Sequence, residues 1–210
     1  MKAATFASRL VLVAAAVGLL AAWYAGSAAA DDGGGGLRAV YTLTNQAAGN
    51  AVAVFSRSAD GSLTAAGEVP TGGLGSGGGL GNQGALALDD HRRFLFVVNA
   101  GSNDLSVFRI RPEGVTLVDR VGSGGIQPIS VTVSGNLLYA LNAGSGSAPG
   151  SISGFRIGHD GSLSAIAGST RPLSAAAVGP AQIQFDPKGE TLVVTEKATN
   201  TISTYTVGRD

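Results

Sequence analysis

From Ala39 onward, apolar and polar residues alternate with a period of two in short runs rich in β-branched and aromatic side chains. Gly, Asn and Asp punctuate the runs, which is the pattern of half-buried strands joined by tight turns. No stretch after the first thirty residues sustains a period of 3.6, so no helix is predicted there. The strand pairs recur. "FLFVVNAGSNDLSVFRI" from Phe94, "LLYALNAGSGSAPGSISGFRI" from Leu137 and "TLVVTEKATNTISTYTV" from Thr191 are three copies of one unit, and "AVYTLTNQAAGNAVAVFSR" from Ala39 is a looser fourth. A repeat of this length in an all-β chain predicts a β-propeller of four-stranded antiparallel blades.

The best-formed unit runs through "GALALDD", "RFLFVVNAG", "NDLSVFRI" and "VTLVDRVG", strands a to d from the axis outward. Links between c and d carry "ADGS" at Ala59, "PEGV" at Pro112 and "HDGS" at His159, in which Asp60-Gly61 and Asp160-Gly161 supply the positive φ a tight hairpin needs. The first blade has b, c and d, two blades are full, and the fourth has a (181–185), b (191–195) and c (201–207). That is roughly fourteen strands, about three and a half blades, whereas closed rings hold four to eight. The expectation is an amino-terminal piece of a longer, seven-bladed protein, with strand edges exposed if this piece is made alone; an arc completed by self-association is the alternative.

Residues 1–30 read as a signal peptide: Lys2 and Arg9, an apolar core from Leu10 to Tyr24, and Ala28-Ala29-Ala30 before Asp31. Export to the periplasm or medium follows, with no membrane attachment once the leader is cleaved; an uncleaved anchor is the alternative, since Leu10 to Ala30 carries no charge. Residues 31–36, "DDGGGG", form a linker, and 37–210 the propeller domain. With 44% apolar and 13% charged residues the chain folds rather than staying disordered. It has no cysteine, which excludes disulfides and thiolate chemistry, and its zero formal charge gives it no electrostatic reason to bind nucleic acid.

The repeat beginning "FVVNAGSNDLSVFRI" resembles that of the YVTN-type surface propellers, and residues 37–210 resemble the first half of the lactonase-like seven-bladed propellers, which include 6-phosphogluconolactonases and carboxymuconate cyclases. "GPAQIQFDPKGETLVVTEKATNTISTYTV" from Gly179 is the most specific match. The resemblance implies hydrolysis of a lactone or cyclic ester, or else a non-catalytic surface propeller that binds a ligand or protein. Members acting on lactones tend to carry His after the Pro of that stretch; here Ala181 follows Pro180, with Gly84 and Ile129 at the equivalent places. His91 and His159 fall in turns on the opposite rim and read as solvated.

Candidate chemistry lies on the rim of the longer b–c and d–a loops. Asn99, Asn142, Gln127 and Gln182 are candidate ligand contacts, with Asn45 and Gln83 nearby; asparagine at a strand end equally serves turn formation. Glu196 and Lys197 replace the Asn-Ala of the other blades and are the catalytic candidates, as general base and oxyanion stabiliser, against the alternative of an exposed ion pair. The partner expected is a small molecule, and no cofactor or metal is called for. Gly73 to Gly78 matches G-x-G-x-x-G by letter, but a strand follows it where dinucleotide binding needs a helix, and "DDH" at Asp89 reads as a polar turn rather than a metal site.

Overall fold

A computed structural model describes residues 39–146 and 148–208, so the predicted signal peptide and linker lie outside the described residues. Strands β1 (Ala39–Leu43), β2 (Ala51–Arg57) and β3 (Leu63–Pro70) form the first sheet. The second contains β4 (Leu86–Leu88), β5 (Phe94–Asn99), β6 (Asp104–Arg111) and β7 (Gly114–Gly122). In the third are β8 (Pro128–Ser134), β9 (Leu137–Asn142), β10 (Ser151–Ile157), β11 (Leu163–Ala165) and β12 (Arg171–Pro172). The fourth holds β13 (Pro180–Phe185), β14 (Thr191–Glu196) and β15 (Thr201–Thr206). Within each sheet every pair of neighbours is antiparallel and, apart from β12, which pairs with β10, follows chain order, which is the up-and-down meander of a propeller blade. No helix occurs among the described residues.

One predicted strand is interrupted. The outer strand of the third blade is split into β11 and β12, which pair with opposite ends of β10. Between them Ser169 occupies the place of a ladder residue, its Oγ accepting the Gly154 N–H at 3.0 Å and donating to the Ile166 carbonyl at 2.7 Å. Gly154 has no side chain to pack outward, and the Tyr139 ring closes over its α-carbon, where a Cβ would lie 2.8 Å from the ring edge. The described chain therefore has fifteen strands.

Neighbouring blades meet along their first strands, β4 with β8 and β8 with β13, which places those strands nearest the axis. Each seam has its own apolar core: Val52 against Leu95, Val97 and Phe108 between blades one and two; Phe94, Phe96 and Leu105 against Leu138 and Phe155 between two and three; Ile129 and Leu141 against Ile183, Leu192 and Val194 between three and four. In the two full blades the middle strands are buried on both faces, as β5 is throughout, whereas β14 in the fourth blade is buried at alternate residues and outer strands such as β3 are largely exposed. Burying one such Phe or Leu contributes about 2 kcal/mol, so these seams hold a chain with no cross-links.

The turns behave as their sequences require. Asp60 and Asp160 each accept the N–H and hydroxyl of the Ser two residues on, at 2.7–3.0 Å, and Gly61 and Gly161 carry φ of 89° and 95°. Between strands a and b, Asp89 accepts the backbone N–H groups of Arg93 and Phe94, so the "DDH" carboxylate is a turn acceptor. Asp186 does the same for Thr191 and Glu190 at 2.9 and 2.7 Å, and these bonds hold its carboxyl below the usual carboxylate range. A lowered folded pKa contributes stability that is complete above the unfolded value and is lost as pH falls through the folded one. Asp186→Asn is thus expected to flatten the fall in melting temperature between about pH 5 and pH 3. Parallel slopes for the two proteins in thermal melts would refute this.

Candidate functional site

Three blades share one polar construction where strand b ends. Asn99 faces Asp104, Asn142 faces Ser151 and Glu196 faces Thr201 across the b–c ladder, and two residues into strand c stands a serine: Ser106, Ser153 and Ser203. In blade two the Asn99 carbonyl accepts from Asn50 Nδ2 at 2.9 Å and Thr71 Oγ1 at 2.7 Å, and its amide donates to Asp104 Oδ1 at 2.6 Å and Ser106 Oγ at 2.8 Å. Asn50 and Thr71 belong to the preceding blade, so this is a staple between blades. Gly73 packs on the staple so closely that a Cβ there would sit 2.4 Å from Asn99 Cγ. In blade one the residue facing the start of strand c is Thr44, whose N–H donates to the Ala51 carbonyl at 3.0 Å; Asn45 lies one place further on. Asn45 ties down the glycine tract instead, bonding Ser76 and Gly78 at 2.6–2.9 Å.

Asn142 is fully buried and donates weakly to the Ser123 carbonyl and Ser153 Oγ, both at 3.4 Å, while its own carbonyl oxygen has no partner. Glu196 is 1% exposed. Its carboxylate accepts from Ser203 Oγ at 2.9 Å, from the Ser174 N–H at 3.3 Å and from Ser174 Oγ in a very short bond. Burial pushes this carboxyl up, but the hydrogen bonds from Ser174 and Ser203 outweigh it and leave the pKa below its ordinary value. Such a carboxylate is a weak proton acceptor.

Lys197 turns the other way, as successive residues at a strand end do. Its side chain is exposed, its Nζ donates to the Gly81 carbonyl, and it lines a cavity of about 520 Å³ at the axis. Ala181 and Gln182 lie in the same wall, and Leu80, Asn82 and Gln83 line the cavity from the glycine tract. The structure therefore brings Lys197 and Gln182 together and keeps Asn99, Asn142 and Glu196 inside the blade walls. Gln127 stands apart: its φ is 57°, and its backbone N–H is bound by Asn103 Oδ1 at 2.7 Å. His91 and His159 are exposed in turns between strands a and b and between strands c and d.

A β-bulge places Ala181 in this wall. The β13–β14 register shifts between Pro180 and Gln182, and an identical shift occurs in β8 between Pro128 and Ser130, so Ile129 and Ala181 are equivalent. The glycine tract forms the facing wall: Gln83 N–H donates to the Ala181 carbonyl at 3.0 Å, Asn82 Nδ2 to the Ile129 carbonyl, and Leu80 packs against the seams on either side of blade three. Leu80 and Asn82 were not visible as candidates in the sequence. The signal was Leu80 itself, an apolar residue stranded in a run of glycine and serine. Among the described residues no group of three or more His, Asp or Glu side chains is placed to hold a metal ion.

The model of a family described as "Lactonase, 7-bladed beta-propeller" matches residues 37–158, more than half of the chain. No curated protein matches the sequence. Among solved structures, a functionally unknown protein from Desulfotomaculum acetoxidans is similar at 21% identity and a TM-score of 0.60, over 77% of this chain and 49% of its own. A 6-phosphogluconolactonase candidate from Bacteroides uniformis is similar at 16% identity and 0.60, over 81% and 50%. The periplasmic gluconolactonase of Pseudomonas aeruginosa is similar at 20% identity and 0.56, over 80% and 49%. The chain thus spans about half the length of the solved structures it matches.

Proposed function

The chain belongs to the lactonase family of seven-bladed β-propellers, and on that premise we propose that the whole protein is an exported hydrolase that opens a lactone or related cyclic ester. The observation that carries the reading is the axial cavity, in which one ammonium, Lys197, stands beside the amides of Asn82, Gln83 and Gln182. Amides suit the hydroxyl groups and ring oxygen of a polyhydroxylated lactone, since each offers both donors and an acceptor. When water attacks the carbonyl carbon, the carbonyl oxygen gains negative charge, and a preorganised ammonium near it lowers the barrier. The leader read in residues 1–30 supports export.

Purified full-length protein is expected to accelerate the opening of D-glucono-1,5-lactone well above its spontaneous rate, followed by the acid released at constant pH. Absence of acceleration would remove the hydrolase reading. One observation favours a second reading, non-catalytic ligand binding at the same rim: Ala181 fills the bulge position at which lactone-acting members were expected to carry His. Calorimetric binding of the lactone without turnover would support that alternative.

A further inference from the structure

Glu196 and Lys197 are adjacent in sequence, yet the carboxylate is sealed in the wall of blade four and the ammonium stands in the cavity. We infer that Glu196, Ser174 and Ser203 form a positioning clamp that holds the Lys197 ammonium at the axial cavity, with Glu196 an acceptor in the wall rather than the proton acceptor of the reaction. The inference rests on the lactone reading above.

Three observations support the clamp. Glu196 occupies the staple position of Asn99 and Asn142, whose side chains join strand c of their own blade to the start of the preceding d–a loop. Here the same link runs from Ser203 to Ser174. The chemistry of the site selects a carboxylate: in blade two the Asn99 amide nitrogen has Asp104 Oδ1 to donate to, whereas β15 opens with Thr201, whose hydroxyl bonds the Thr199 carbonyl. Donors converge on residue 196 from Ser174 Oγ, the Ser174 N–H and Ser203 Oγ, and a carboxylate accepts all of them.

The clamp also reaches the cavity through the backbone. Lys197 N–H donates to the Gly179 carbonyl at 3.0 Å and Ala198 N–H to the Val178 carbonyl at 2.9 Å, so the segment gripped at Ser174 is zipped to Lys197 just before it supplies Ala181 and Gln182. A base must touch the attacking water. Both Glu196 oxygens are occupied, and the residue is absent from the cavity lining.

The test uses the full-length protein, D-glucono-1,5-lactone, and two variants: Glu196→Gln, which removes the charge and keeps the shape, and the double variant Ser174→Ala/Ser203→Ala, which keeps the carboxylate and removes the grip. The double variant is expected to lower kcat about tenfold with a smaller change in KM, because a misplaced ammonium stabilises the transition state less well. Glu196→Gln is expected to lose about threefold to tenfold, with the acidic limb of the kcat–pH profile in its wild-type position in both variants. A loss of about a thousandfold or more in Glu196→Gln together with disappearance of that limb would make Glu196 the base and overturn the clamp. So would a wild-type kcat in the double variant. If the wild-type protein does not open the lactone, the lactone reading fails by itself, and the clamp is read from calorimetric affinity for D-gluconate: about tenfold weaker in the double variant supports it, and unchanged affinity overturns it.

Discussion

Asn99→Ala is expected to lower the stability of the protein by about 3 kcal/mol, the cost of losing a four-bond buried network and of the cavity that truncation leaves. Asn99 is wholly buried, and its truncation removes four hydrogen bonds at once: Asn50 Nδ2, Thr71 Oγ1 and Ser106 Oγ each keep one backbone carbonyl, of Val98, Asn50 and Thr71, while Asp104 Oδ1 loses its amide donor. For Asp104 the remaining partner is Arg120, at 3.4 Å from its other oxygen, and that pair is partly solvated. The side chain also fills the space against which Gly73 packs, so the variant adds a cavity to the broken network. Urea denaturation at neutral pH checks this; a change below about 1 kcal/mol would show that water replaces the amide at little cost. The matching change at Asn142 is expected to cost less, because its bonds are long and its carbonyl oxygen already lacks a partner.

The middle strands of the two full blades were legible in the sequence because they are buried on both faces and therefore carry dense apolar runs, as β5 and β9 do. The c–d hairpins were legible where an Asp-Gly pair marked the turn. The break between β11 and β12 was not, because there the Ser169 hydroxyl takes the place of a ladder partner for Gly154, a bond between side chain and backbone that periodicity does not encode. For the site, the repeat contained more than residue type. Glu196 aligns with Asn99 and Asn142, and that register already implies a shared burial, while the alternation of a strand end sends Lys197 to the opposite side. The serine at the third residue of "DLS", "SIS" and "TIS" was a further repeat signal for the staple. What composition could not reveal is that the glycine tract forms a wall. Its glycines are needed for close approach: a Cβ on Gly75 would fall 2.2 Å from the Asn45 backbone carbon, and one on Gly101 would fall 2.1 Å from the Gly75 oxygen.

Lys197→Met is expected to reduce kcat/KM for D-glucono-1,5-lactone about a hundredfold while leaving the melting temperature within about 2 °C. Methionine retains the length of the stem and removes the ammonium, so the change isolates charge from packing. Lys197 is exposed and sits beyond the seam cores, which is why stability should hardly respond. The reduction should appear mainly in kcat if the ammonium acts on charge that develops in the transition state, and mainly in KM if it only binds the ground state. Steady-state kinetics separate these, and kcat/KM within about threefold of wild type would discard Lys197 as the electrostatic element of the site.

Because each boundary between blades encloses its own apolar cluster and its own polar link, the molecule is cohesive chiefly between nearest neighbours. Lesions in one junction should therefore compound with each other, and should add independently only where no side chain is shared, since Leu80 packs against both seams of blade three. For an evolving gene this makes the wedge the unit of change: a duplicated segment needs only two compatible flanks to be accommodated, so rims can diversify while the scaffold persists.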